Sequence, residues 1–216
     1  MSNKQQINRL RDNTELAWAS YGYFDLVGKK FGNKDEYKGR KDTVITLHDI
    51  LDSVYNGYIA MGKNRWGQDI ELGTLDGDFS PLQSQNFFER YDLLEHQPNT
   101  HSGFSATLFQ NKESKEYTLA IRGTEFKLEQ IQDLLNDYYI GTNNSDMNRV
   151  IEQYFDMLLF YEETLKPLLQ EKGIARINVI GHSLGGYLAQ LFALSYPHSI
   201  NEVYTYNAPL ESMSLA

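Results

Sequence analysis

The chain has 216 residues, of which 41% are hydrophobic and 23% charged, a balance that suits one soluble globular domain with a sizeable core. Its net charge of −9 argues against a nucleic-acid partner and against adhesion to anionic membranes by charge alone. Without cysteine there are no disulfides and no Cys-ligated metal. The start, MSNKQQINRLRDN, lacks the apolar core of a classical signal peptide, and no run approaches the roughly eighteen apolar residues of a membrane-crossing helix. Localisation therefore stays open between the cytoplasm and export by a signal-peptide-independent route.

In chain order, Asn13 and Thr14 are good helix caps, and Leu16, Ala19, Tyr23 and Val27 suit one face of a helix ending near Gly28. Residues Gly28 to Asp42 read as a basic, glycine-spotted surface loop. Thr43 or Thr46 caps a second helix, with Leu47, Ile50, Leu51, Val54 and Tyr58 at helical spacing. Gly62 to Gly77 reads as loop with short strands, and Ser80-Pro81 opens a short helix with Phe87, Phe88 and Tyr91 for packing. From Gly103 the pattern changes to strands. Gly103 to Gln110 and Tyr117 to Ile121 form a hairpin across the polar turn Asn111 to Ser114. A helix near Lys127 to Asp137 is expected next, with Asp133 and Asp137 on a solvated face. A long helix then runs from Ser145 or Asp146 to about Gln170, with a mostly apolar stripe of Ile151, Phe155, Leu158, Glu162, Leu165 and Leu169. Pro167 kinks or breaks it, and Gly173 ends it.

The stretch Ile177 to Tyr196, INVIGHSLGGYLAQLFALSY, carries the chemistry. Strand formers Ile177, Val179 and Ile180 run into Gly181-His182-Ser183-Leu184-Gly185-Gly186, and an apolar helix follows at once, stopping at Pro197. A strand-to-helix turn this tight strains its central residue. Gly181 and Gly185 remove the Cβ atoms that would collide there. Ser183 is expected with its hydroxyl exposed at a helix N-terminus, where backbone N–H groups favour developing negative charge. The plainer reading of the same residues is a glycine-rich turn in which Ser183 is only a cap. A last strand, Val203 to Tyr206, follows. This alternation implies an α/β protein: a mixed, mostly parallel sheet between helices, with residues 1–100 a helical N-terminal region and 101–216 the core of a single domain.

A serine hydroxyl needs a base, an orienting carboxylate and oxyanion donors to act as a nucleophile. The N–H of Leu184 is one donor. Arg122-Gly123-Thr124, at the end of an earlier strand, is placed to supply the other through Thr124. Taken in order, Tyr117-Thr118-Leu119-Ala120-Ile121-Arg122-Gly123-Thr124, then Val179 to Gly186, then Val203-Tyr204-Thr205-Tyr206-Asn207-Ala208-Pro209 resemble the lipase class 3 family of α/β-hydrolases. The resemblance covers roughly Gly103 to Pro209. It implies a three-layer α/β-hydrolase fold, Ser183 as nucleophile and Thr124 with Leu184 as oxyanion residues, with a lipid ester as substrate and neither cofactor nor metal.

One departure stands out. In the family the catalytic Asp and His follow the third motif, whereas here the residues after Ser183 hold a single histidine, His198, with Glu202 and Glu211 as acids. His198 follows Pro197 at the far end of the elbow helix, His182 is expected to pack against the scaffold, and His48, His96 and His101 precede the core. The expectation is therefore a chain that stops before its own acid and base and lacks the family's last strands. Its final strand becomes an apolar sheet edge open to association. A serine ester hydrolase of the lipase or phospholipase type leads. A catalytically incompetent hydrolase-like domain that binds a partner or lipid is the alternative, and a thioester or peptide substrate is a weaker one.

Overall fold

Ser2 and Gln5 set where the chain first folds. Ser2 Oγ accepts the N–H of Gln5, and Gln5 Oε1 accepts the N–H of Ser2, a reciprocal cap that starts helix α1 (Asn3–Ala19). The helix expected from Asn13 or Thr14 to Gly28 therefore starts earlier and stops sooner. Asn13 and Thr14 lie inside it, and the Thr14 hydroxyl donates 2.8 Å to the Leu10 carbonyl instead of capping. Leu16 and Ala19 are buried as their spacing implies, whereas Tyr23 and Val27 lie past its end.

The computed structural model describes residues 2–123 and 145–208. The helix expected at Lys127 to Asp137 lies outside the described residues. The chain divides into two compact units, one of Met1–Ser20 with Leu93–Ala216, the other of Tyr21–Asp92.

The smaller unit pairs a three-stranded antiparallel sheet with two short helices. Its strands are β1 (Lys30–Phe31), β2 (Ile59–Lys63) and β3 (Asp69–Thr74), in the order β1-β2-β3. The loop with short strands expected over Gly62 to Gly77 is thus the β2–β3 hairpin. Helix α2 (Leu47–Leu51) is capped by Thr46, as read from the sequence, with Asp49 closing the reciprocal bond. It stops well before Tyr58 because Asp52 turns its side chain to the Val54 N–H and starts a 3-10 turn. Helix α3 (Pro81–Arg90) has the expected Ser80 cap and leading proline. Within this unit Arg40 pairs with the buried Asp49 and lies over the rings of Phe31 and Tyr55, while Tyr37 and Tyr58 stack at 4.1 Å.

The larger unit is built on a five-stranded mixed sheet, β4-β5-β6-β7-β8, of β4 (Tyr91–Gln97), β5 (Ala106–Asn111), β6 (Tyr117–Ile121), β7 (Ile177–His182) and β8 (Ile200–Tyr206). Strands β5 and β6 form the expected antiparallel hairpin, and β6, β7 and β8 run parallel. Alternation assigns the faces. Leu108, Leu119, Ile121, Ile177 and Val179 enter one core with helices α4 (Ser145–Phe160), α5 (Lys166–Glu171) and α6 (Leu184–Ser195). The intervening Thr107, Phe109, Thr118, Ala120 and Ile180 are also buried, and α1 lies against β6, β7 and β8. That makes three layers.

Between α4 and α5 the helix passes through one π turn, Tyr161–Leu165, just ahead of Pro167. A π turn takes in an extra residue, and proline cannot donate to the α pattern and crowds the carbonyl four residues back. The single apolar stripe expected along this helix is consequently split. Leu165 and Leu169 are buried with Met157, Phe160 and Tyr161, but Phe155 is 60% exposed and Ile151 40%. Gly173, at φ +69°, ends the helix as expected.

Phe192, fully buried in α6, meets Tyr161 edge-on at 4.9 Å and Tyr196 at 5.0 Å. Phe192→Ala is expected to destabilise the protein by about 3–5 kcal/mol, read from urea or thermal unfolding.

Candidate active site

Strand β7 ends at His182 and helix α6 begins at Leu184, so Ser183 alone makes the turn. Its backbone sits at φ 54°, ψ −126°. For a residue with a Cβ such a conformation costs about 1–3 kcal/mol, and it persists only where its surroundings enforce it. They do so through hydrogen bonds on both sides of the residue. The Ser183 N–H donates 2.9 Å to the Tyr206 carbonyl at the end of β8, and the Ser183 carbonyl accepts the N–H groups of Gly186 at 3.0 Å and Tyr187 at 3.2 Å. Sheet and helix each hold one side of the peptide.

The side chain does not cap α6, which removes the plainer reading of Ser183 as a cap. Ser183 differs from expectation in one respect: the residue is only 5% exposed. The physical reason is the closeness of its neighbours. A Cβ on Gly181 would fall 2.2 Å from the Gly185 carbonyl carbon, and a Cβ on Gly185 would fall 2.3 Å from the Ile121 carbonyl oxygen. The first turn of α6 is therefore pressed onto the ends of β6 and β7. Leu184, also buried, is the first residue of α6, where a backbone N–H has no acceptor within its own helix.

These contacts bring the separate motifs together. Gly185 abuts Ile121 and Arg122, the start of the expected oxyanion segment, and a Cβ on Gly186 would lie 2.7 Å from the Ala208 Cβ in the third motif. Arg122 is fixed by its N–H to the Ser105 carbonyl at 3.0 Å, and Gly123 beside it is buried. Thr124 lies outside the described residues.

The histidines are spread through the chain. His198 is exposed beyond the C-terminal end of α6, and a helix of twelve residues spans about 18 Å, so it stands far from Ser183. His96, on β4, has its Nδ1 2.9 Å from the Thr107 hydroxyl, His101 lies in an exposed turn, and His48 packs edge-on against Phe88 in the smaller unit. His182 is partly buried, and burial pushes its imidazole below the ordinary value of 6.5, so it is neutral at pH 7. Among the described residues no group of acidic and histidine side chains is arranged to hold a metal.

One buried polar cluster had no sequence signal. The Ser102 hydroxyl donates 2.6 Å to Asp156 and lies 2.9 Å from the Thr100 hydroxyl, while Gln153 Nε2 donates 2.9 Å to the Ser102 carbonyl. It ties the β4–β5 connection to α4 across more than fifty residues, a spacing that no local pattern announces.

Two outcomes follow from this geometry. Glycine adopts positive φ without a Cβ penalty, so Ser183→Gly is expected to be more stable than Ser183→Ala by about 1 kcal/mol in urea unfolding. His182 favours its neutral form in the fold, so its contribution to stability is complete above pH 6.5 and is lost as pH falls through the lowered folded value. Acid titration of unfolding midpoints is expected to show a loss below that pH which His182→Gln flattens.

Comparison with known proteins agrees with the geometry. A family described as the alpha/beta hydrolase fold matches residues 158–216. The chain superposes on the Lip2 lipase of Yarrowia lipolytica with a TM-score of 0.51 at 21% identity, covering 96% of this chain and 61% of that one. A lipase of Rhizopus microsporus var. chinensis gives 0.55 at 15% identity, covering 96% and 59%. Among curated sequences it is similar to two Saccharomyces cerevisiae proteins. Protein ECM18 is 36% identical over 66 residues, 31% of this chain and 14% of that protein. The 1-acylglycerol-3-phosphate O-acyltransferase ICT1 is 33% identical over 58 residues, 27% of this chain and 14% of that protein. The chain thus spans about three-fifths of the solved lipases and a small part of the yeast proteins. The resemblance read from the three motifs holds at the level of architecture: this chain has the α/β-hydrolase fold, in the arrangement that the fungal lipases share.

Proposed function

We propose that this protein is a serine ester hydrolase of the lipase or phospholipase type that works through an acyl-enzyme on Ser183. The observation that supports this most is the Ser183 backbone at φ 54°, ψ −126°, a strained turn held from both sides between β7 and α6. In this reading Ser183 Oγ attacks the carbonyl carbon of a lipid acyl ester while its proton passes to a base. None of the chain's five histidines is assigned that part. The N–H of Leu184 donates to the oxyanion, and Thr124 is the second donor by its place after Arg122 and Gly123. Collapse of the tetrahedral intermediate breaks the ester C–O bond and releases the alcohol. Water then attacks the acyl-enzyme, releases the fatty acid and returns the proton to Ser183.

A second reading changes only the last step. The likeness to the yeast O-acyltransferase over 58 residues favours a lysophospholipid hydroxyl as the acceptor, in which case the acyl group moves from one ester to another.

Exposure of the native protein to a fluorophosphonate is expected to label Ser183. Ser183→Ala should lose the label together with hydrolysis of chromogenic esters, by a factor of ~10³ or more. Label that persists in Ser183→Ala removes this serine from the chemistry. Radiolabelled acyl groups found on added lysophosphatidic acid rather than as free fatty acid would select the transfer reading.

A further inference from the structure

The β2–β3 hairpin takes no part in the chemistry proposed for Ser183, and its composition is unusual for a ribbon in water. All four residues from Asp69 to Leu72 are exposed, so this part of β3 stands clear of the core on both faces. Strand alternation places Ile70 and Leu72 on one face and Asp69 and Glu71 on the other. Ile70 is nevertheless 37% and Leu72 40% exposed, and Leu72 lies across Gly62 of β2, where a Cβ would fall 2.5 Å from Leu72 Cδ1. The absence of a side chain at Gly62 leaves that face flat and apolar.

The hairpin tip completes the pattern. Asn64 Oδ1 accepts the N–H groups of Trp66 at 2.9 Å and Gln68 at 3.0 Å, and the Asn64 carbonyl accepts the Gly67 N–H at 2.9 Å, with Gly67 at φ +77°. This is a built turn whose effect is to hold the Trp66 indole outward, 69% exposed, with the Arg65 guanidinium 4.0 Å from its ring centroid. Across Lys63 to Gln68 there are two cations and no acid, on a chain of net charge −9. Lys63 is paired with Asp69 at 2.7 Å.

We propose that the β2–β3 hairpin docks this protein on a phospholipid surface, with Trp66, Ile70 and Leu72 entering the interfacial region and Arg65 meeting lipid phosphate. Indole and guanidinium are the side chains that combine an apolar body with a polar head, which is what the boundary between acyl chains and headgroups accommodates. With Lys63 neutralised by Asp69, the charge complementarity is local and rests on Arg65, held beside the Trp66 ring where it can meet a lipid phosphate. A second copy of the chain fits less well. Strand β3 is the edge of its sheet, and exposed Asp69 and Glu71 along it oppose pairing with an identical edge. Docking is independent of turnover and stands whether or not Ser183 forms an acyl-enzyme.

The test uses the full chain with Ser183→Ala, to exclude hydrolysis, and Trp18→Phe, to leave Trp66 as the sole indole. With phosphatidylcholine vesicles the protein is expected to co-sediment, its emission to shift to shorter wavelength, and brominated phosphatidylcholine to quench it. Trp66→Ala should lower the partition coefficient about tenfold, Trp66→Phe much less, and Ile70→Ser with Leu72→Ser should lower it further. Inorganic phosphate should not compete. Equal partitioning of Trp66→Ala, an unquenched indole, or a concentration-dependent dimer that Trp66→Ala abolishes each overturns the proposal. Hydrolysis of a short water-soluble ester by the protein with Ser183 intact reads the chemical step separately, so a failed dock and a failed nucleophile are told apart.

Discussion

The larger unit depends on one close approach, that of the first turn of α6 to the ends of β6 and β7. Backbone meets backbone there with no room for a side chain, since Cβ atoms at Gly181 or Gly185 would sit 2.2–2.3 Å from main-chain atoms. Such contact forces the chain to reverse within one residue, and that residue takes a conformation which side-chain-bearing residues ordinarily avoid. The strain at Ser183 is thus a consequence of packing between layers rather than of anything local to the serine. It is maintained by the burial of Leu188, Ala189 and Phe192 farther along the same helix.

The same approach makes this point the one where the proposed chemistry would fall. A helix N-terminus offers N–H groups without intrahelical acceptors, and here those groups open against the carboxyl end of a parallel strand. Parallel order matters: β6, β7 and β8 all end on this side, so Arg122, Ser183 and Asn207 come from distant parts of the sequence to one rim. The Tyr206 carbonyl accepting the Ser183 N–H shows that β8 contributes to the turn itself as well as flanking it.

How much of this was legible beforehand depended on how local its cause is. The elbow, the β5–β6 hairpin, the Ser80-Pro81 helix start and the Thr46 cap each rest on a few neighbouring residues, and each was readable. The start of α1 was missed because Asn13 and Thr14 are as good caps as Ser2, and only the Gln5 side chain reaching back decides between them. The burial of Ser183 has no local signal, because the elbow is packed through Gly185 against Ile121 and Arg122, some sixty residues away. The Ser102–Asp156 bond is of the same kind. The aromatic cluster around Arg40 was equally silent, since Phe31, Arg40 and Tyr55 follow no single period.

The π turn at Tyr161–Leu165 gives the adjoining helix a property that its length alone does not reveal. One extra residue turns everything after it by roughly a quarter of a revolution relative to everything before it. Leu165 and Leu169 can then face the sheet while Ile151, Phe155 and Leu159, one turn apart from each other, face outward. An unbroken α-helix of the same sequence would bring Leu165 and Leu169 round to the side of Ile151 and Phe155, and would have to hide the outward row or expel the inward pair. Deleting one residue within the turn would instead restore the α pattern and leave both rows facing as they do now. At this position the helix can lose a residue in evolution without changing which side it shows.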